Sequence, residues 1–150
     1  MDNYKKYRWF YTSTGKLVIG GKSAKQNDEL LHQLKKKEDD RIISHTSEPG
    51  SPFCVILSDL SKISQSDIHE MAIFTGCFSR AWREGKNSAR VDIFKLSQVH
   101  KDKTMKEGTW GVYGRVKHIT APLELIVTRQ NNIIRAIPES SSVRKENIIK

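Results

Sequence analysis

Where an apolar strand gives way to a helix, this chain carries Gly20-Gly21-Lys22-Ser23: two glycines, a cation and a hydroxyl in succession. Backbone amides at the start of a helix carry partial positive charge, and a lysine there adds a whole one. Glycines let such a backbone come close to a partner. Together these residues can grip an anion, phosphate above all. The motif is not a nucleotide-hydrolysing loop, which would need a further glycine at position 16, where Lys16 stands. ATP hydrolysis is therefore not expected. The competing reading is that the glycines serve only a tight turn.

The remaining reactive side chains do not assemble into a catalytic motif. His32, His45, His69, His100 and His118 show no ligand spacing with Cys54 or Cys77, so no metal or other cofactor is expected. His69-Glu70 would need a second histidine at position 73, which is Ile73. His45 stands apart because it ends a strand just before Pro49-Gly50-Ser51, where loop side chains gather at a sheet edge. A hydrogen-bonded turn anchor is the first reading of it, and an acid–base group the alternative. No nucleophile elbow is present. The expectation is a protein that is not an enzyme. Both cysteines sit in apolar stretches and read as buried thiols of a reducing cytosol, which makes the expected location cytoplasmic.

Charge narrows the partners. Lys and Arg number 26 against 17 Asp and Glu, for a net charge of +9 and a pI near 9.6. Such an excess points to polyanions, RNA or DNA. No segment sets apolar residues opposite a Lys/Arg face, and none is long enough to span a membrane, so no membrane partner is expected. Tyr7, Trp9 and Tyr11 share one face of a strand; core packing is the ordinary fate of such rings. An exposed Trp9 beside Lys16 or Lys22 would instead stack unpaired bases. Arg80, Arg83 and Lys86 crowd the end of a helix that also carries Trp82, read either as solvated cations around a buried ring or as a track for a phosphate backbone. A further basic stretch runs from Arg90 to Lys117.

Periodicity and punctuation predict the elements that would position these groups. Tyr7–Thr12 and Lys16–Ile19 form a hairpin around Ser13-Thr14-Gly15. Ser23 caps a helix striped by Leu30, Leu31 and Leu34, with Gln26 completing a capping box. Strands at Arg41–Thr46 and Phe53–Leu57 flank a Pro-Gly turn. A long helix opens at Ser64 and closes at Gly85. Strands follow at Val91–Leu96, Trp110–Val116, Leu123–Thr128 and Ile133–Ile137, the last two joined through Gln130-Asn131-Asn132. The expected fold class is α+β, a curved, largely antiparallel sheet packed by two main helices.

In their order, several blocks resemble the NFACT-R domain, the RNA-binding module of NEMF/RqcH-type ribosome quality-control factors, which also occurs as a stand-alone protein. The blocks are Arg8-Trp9-Phe10, Leu17-Val18-Ile19-Gly20-Gly21-Lys22, Gln26-Asn27, His45 with Pro49-Gly50-Ser51-Pro52, Ser79-Arg80-Ala81-Trp82, Gln98-Val99, and Gly108 through Gly114. The chain departs from the family at Arg41-Ile42-Ile43-Ser44, where an acidic and aromatic strand is usual. The resemblance implies an α+β RNA-binding domain with no established catalysis, expected here over residues 1–138; Pro138 ends the sheet, and 139–150 read as a flexible or helical tail. The implied partners are tRNA or ribosomal RNA and the ribosome; composition leaves DNA open. The peptide-tailing activity of the large proteins is not carried over.

The site expected on these grounds has Arg8, Lys16, Lys22, Arg80 and Lys86 on phosphates. Gly20, Gly21, Gly50 and Ser51 would supply backbone or hydroxyl donors, Trp9 and His45 would stack or hydrogen-bond, and Asn27 would join them through the matching block. Five phosphate contacts correspond to a log–log salt slope of about −3.5 on a single strand. The rivals are an RNA-processing or tRNA-modification enzyme with His45 as acid–base, and a protein adaptor that docks on the ribosome.

Overall fold

The computed structural model describes residues 3–142. Short, largely continuous apolar runs build one six-stranded antiparallel sheet from β1 (Arg8–Tyr11), β2 (Leu17–Gly20), β3 (Ile42–Thr46), β4 (Cys54–Ile56), β5 (Ser88–Lys95) and, further along the chain, β8 (Lys117–Pro122). Their spatial order is β1-β2-β4-β3-β5-β8. Two short ribbons complete the strands: β6 (Val99–His100) with β7 (Gly111–Val112), and β9 (Ile126–Gln130) with β10 (Ile133–Ile137). The fold is α+β, as expected.

Both faces of the sheet are covered, because its central strands are apolar on both sides. Helix α1 (Ala24–Lys35) lays Leu30, Leu31 and Leu34 on the face that carries Trp9, Ile19, Ile43, Val55 and Phe94. Helix α2 (Gln65–Cys77) lays Met71, Ala72 and Phe74 on the opposite face, against Phe10, Val18, Ile56 and Ile93. The Ser23 hydroxyl caps α1 by accepting from the Gln26 N–H at 3.1 Å. The Gln26 carboxamide returns to the Lys22 amide rather than to Ser23, so the expected box closes one residue early.

The single helix expected from Ser64 to Gly85 is two. Phe78 ends α2, Ser79 is extended, and α3 (Arg80–Arg83) begins afresh with the Ser79 hydroxyl accepting from the Ala81 N–H. Serine favours caps over helix interiors because its hydroxyl bonds nearby backbone, and here it also donates to the Gly76 carbonyl at 2.6 Å. The break turns Trp82 outward, where it is 48 % exposed.

The strand expected over Trp110–Val116 shrinks to Gly111–Val112, and β8 takes its place in the sheet, paired with β5. Its exposed lysine and terminal proline hide it from pattern reading and suit a sheet edge, where they discourage pairing with other chains. At the other edge, the Gln130 side chain exchanges two 2.8 Å hydrogen bonds with the backbone of Tyr11, anchoring the β9–β10 ribbon. Of the tail, residues 139–142 pack back, with the Ser141 hydroxyl donating to Glu70 at 2.7 Å. Residues 143–150 lie outside the described residues.

Candidate nucleic-acid interface

Antiparallel pairing brings the start of β1, the ends of β2 and β3, and the start of β4 to one pole of the sheet. Helix α1 begins there and α2 ends there. Between them opens a cleft of about 590 Å³ lined by Arg8, Gly21, Lys22, Asn27, His45, Gly50 and Ser51, seven of the twelve residues expected from the sequence. Ser47, Phe78, Asp92 and the Glu107–Trp110 segment also line it, and pattern reading missed these as members of the site; Ser23 and Arg83, weighed as anion-binding but not placed in the expected site, line it as well.

The glycines do not act as donors. The Gly21 N–H is bonded to the Phe53 carbonyl at 3.3 Å, and the Lys22 N–H to Gln26. A Cβ on Gly21 would lie 2.1 Å from Asn27 Oδ1, and one on Gly20 would lie 2.6 Å from Cys54 Sγ. Their small size lets α1 and β4 close on the strand end, so the packing reading prevails over close approach to an anion. Asn27 uses that room: its Oδ1 accepts from the Phe53 N–H at 3.1 Å and its amide reaches the Ser51 carbonyl. Ser51 is likewise engaged within its turn, accepting from the Thr46 N–H and donating to the Pro52 carbonyl, both at 3.0 Å. Gly50 has φ +102° and Arg80 packed on it, so no side chain fits there. These residues shape the wall of the cleft through bonds and contacts within the protein.

Three cations reach the cleft. The Arg8 guanidinium lies over the Phe78 ring, 4.3 Å from its centroid, and Arg83 and Lys22 stand at the rim. Burial, and with it the nearby charge of Arg83, lowers the Arg8 pKa. Among the described residues, none of Arg8, Lys22 and Arg83 pairs with a carboxylate. Two neighbouring guanidiniums with no counter-ion favour an anion between them.

Four expected side-chain contacts are elsewhere. Trp9 is 2 % exposed and sandwiched in the core, with the Arg135 guanidinium 4.1 Å from its ring, so it offers no face to a base. Lys16 sits at the far end of the first hairpin, 3.7 Å from the buried Asp67 carboxylate. Lys86 is exposed beside Glu84, outside the cleft lining. Arg80 stands behind Gly50, its backbone N–H bonded to the Gly50 carbonyl at 2.8 Å. Alternation along a strand says which side chains share a face, not which face a helix will cover.

The His45 ring packs tilted against Phe53, with centroids 4.4 Å apart and planes 37° apart, and its Nδ1 bonds the Thr46 carbonyl at 2.7 Å. A carbonyl only accepts, so Nδ1 carries the proton. Burial lowers the His45 pKa, against the raising effects of the Thr46 carbonyl and Asp92, so the ring is neutral at physiological pH. Nε2 then carries a lone pair. Nearby, the Ser47 hydroxyl and His118 Nδ1 both donate to the same Asp92 oxygen. That order leaves the hydroxyl bonded to carboxylate and not to imidazole, which is the wrong connection for activating a nucleophile.

The far wall depends on Asp28, which pattern reading also passed over. Its Oδ1 accepts from Lys101 Nζ, the Gly108 N–H and the Trp110 indole, at 3.1, 3.1 and 2.8 Å. Lys101 further donates to the Lys106 and Thr109 carbonyls, so one member of the expected basic patch is a strut inside the loop. Among the described residues no three His, Cys, Asp or Glu side chains meet as a metal site requires.

The chain belongs to the NFACT protein RNA-binding domain family, whose model matches residues 6–114. β8 to β10 lie beyond that match, yet β8 is part of the same sheet. The archaeal Rqc2 homolog aRqcH of Methanocaldococcus jannaschii is 31% identical over 127 residues, 81% of this chain and 18% of that protein. The chain therefore spans under a fifth of this relative's length. Among solved structures, the C-terminal part of the fibronectin/fibrinogen-binding protein from Streptococcus suis superposes with a TM-score of 0.67 at 23% identity, covering 77% of this chain and 45% of that one. At that identity the likeness is one of fold.

Proposed function

We propose that this chain binds structured RNA, tRNA or ribosomal, through the cleft at the sheet pole, and that it serves ribosome-associated quality control in the cytoplasm without catalysing a reaction. The observation that carries this reading is the adjacency of Arg8 and Arg83 at the mouth of a cleft, neither with a carboxylate partner among the described residues. Membership of an RNA-binding family and the likeness to an Rqc2 homolog support the partner and the process.

A salt titration of tRNA binding tests it. Each phosphate contact contributes about −0.7 to the log–log slope on single strands. The Arg8→Gln/Arg83→Gln double variant is expected to flatten the slope by about one such contact, while Lys16→Gln leaves it unchanged. Binding that ignores salt, or that responds to Lys16 and not to the arginines, would refute the reading. Competition by duplex DNA at equal affinity would remove the RNA preference.

A further inference from the structure

The cleft holds its charges unevenly, and this unevenness limits what can enter. Arg8, Lys22 and Arg83 stand among its lining, but so do the carboxylates of Asp92 and Glu107. A nucleic-acid backbone presents a phosphate at every step, and a second or third one here would meet those carboxylates. One phosphate followed by a neutral, donor-bearing group meets no such conflict. The volume, about 590 Å³, is in the range of small-molecule sites, which run from roughly 300 to 1,000 Å³. The wall includes half-buried Phe78, Trp110 and Val112, with Trp110 held in place by Asp28. Such walls suit a sugar or base lifted out of its stack, since unpaired nucleotides are what proteins read most readily in RNA.

One hydrogen-bonding atom of the cleft without a partner is an imidazole acceptor. With Nδ1 donating to Thr46, His45 Nε2 has no partner among the described residues, and it is not among the buried polar atoms left without one, so it is open to solvent where the residue lines the cleft. The Thr46 bond and the tilted contact with Phe53 orient the ring. A neutral imidazole nitrogen in that position takes an O–H or N–H donor and is indifferent to a phosphate oxygen. Ribose differs from deoxyribose by one such donor.

Resting on the reading that the cleft binds RNA, we propose that it takes one unpaired ribonucleotide, its phosphate held between Arg8 and Arg83 and its 2′-hydroxyl donating to His45 Nε2. His45 is then the residue by which the protein tells RNA from DNA. Arg8, on Phe78, is the fixed half of the phosphate clamp, and Lys22 closes it from the start of α1.

Titration of the protein, labelled with nitrogen-15, by adenosine 5′-monophosphate and by its 2′-deoxy analogue tests this directly. The ribonucleotide is expected to bind roughly two- to tenfold more tightly, the range of one neutral hydrogen bond, and to shift the His45 Nε2 resonance where the deoxynucleotide does not. His45→Ala is expected to bring the ratio to one with the phosphate affinity kept. His45→Gln, which retains an acceptor and guards against misfolding, is expected to keep part of the preference. A single-stranded oligoribonucleotide should displace the monophosphate, and a blunt RNA duplex should not. Equal binding of the two monophosphates, an unchanged ratio in His45→Ala, or displacement by the duplex would overturn the proposal. If tRNA binds with the expected salt slope while any of these occurs, the single-nucleotide inference falls and the RNA-binding reading stands. If no RNA binds, both fall.

Discussion

The Asp28 carboxylate, in the second turn of α1, accepts the Trp110 indole N–H at 2.8 Å across 82 residues of chain. That bond, with those from Lys101 and Gly108, holds the loop that forms one wall of the cleft to the helix that forms another. The concavity is thus maintained by a side chain through its bonds to Lys101, Gly108 and Trp110.

Burial would raise the Asp28 carboxyl, but the hydrogen bonds from Trp110, Lys101 and Gly108 outweigh it and hold it below its ordinary 3.8. A carboxyl depressed in the folded state stabilises the fold fully above its unfolded value, and that stabilisation is lost as pH falls through the lower folded one. The loop is expected to stay closed at neutral pH and to loosen only in acid, below about 3.8. The Trp110 indole resonance should hold still from neutral pH downward and move only in that range. A midpoint near neutrality would contradict the assignment. Asp28→Ala should cost about 2 kcal/mol in urea unfolding, the scale of hydrogen bonds to a charged group.

Gly21→Ala should destabilise although the position lies outside any apolar core. The added methyl would come within 2.1 Å of Asn27 Oδ1, which holds the Phe53 N–H, so Asn27 must give way. Overpacking of this kind costs about 1–3 kcal/mol. The amide of Gly21 is already bonded to Phe53, so the stability loss should exceed any direct loss of RNA affinity in the folded fraction. Undiminished stability with lost binding would restore the glycine to the ligand.

Trp9→Phe should lower stability by roughly 0.5–3 kcal/mol, the common range for core truncation, and leave RNA affinity unchanged. The indole is enclosed by Tyr4, Tyr11 and the Arg135 guanidinium, whose Nη2 donates to the Trp9 carbonyl at 2.6 Å. Thermal unfolding alongside RNA titration separates the two effects. Weakened binding at unchanged stability would mean that the ring faces the ligand.

Burial pushes both the Cys54 and Cys77 thiols up to about 12. The thiolate is the reactive form, and at pH 8 such a group is ionised to about one part in ten thousand. Neither thiol should react with an aromatic disulfide reagent in the native protein, and both should react as urea unfolds it. Rapid native labelling of either would place it at the surface.

Much of the scaffold was legible because local rules govern it. The Ser23 cap, the Leu30-Leu31-Leu34 stripe, the first hairpin and the Asn131-Asn132 turn, whose residues have φ 51° and 62°, each follow from a few adjacent residues. The misreadings fall where one residue type serves two local structures. Ser79 reads equally as a helix position and as a cap, and the polar edge strand β8 reads as loop. In the site, the block containing Gly20, Gly21 and Lys22 was legible as important and Arg8 and Lys22 as cations, whereas the packing role of the glycines, which bring α1 and β4 together, and the place of Arg83 beside Arg8 were not.

From its residues alone this chain determines its net charge of +9, the short apolar runs that make its central strands, and the caps and turns that divide it. Only tertiary structure decides that Trp9 lies beneath α1, that Lys16 faces Asp67 far from the cleft, and that Arg83 comes beside Arg8 from another helix. The physical reason is range. Periodicity and capping act over a few residues, whereas a cleft is made by side chains whose proximity depends on how a whole sheet and two helices pack.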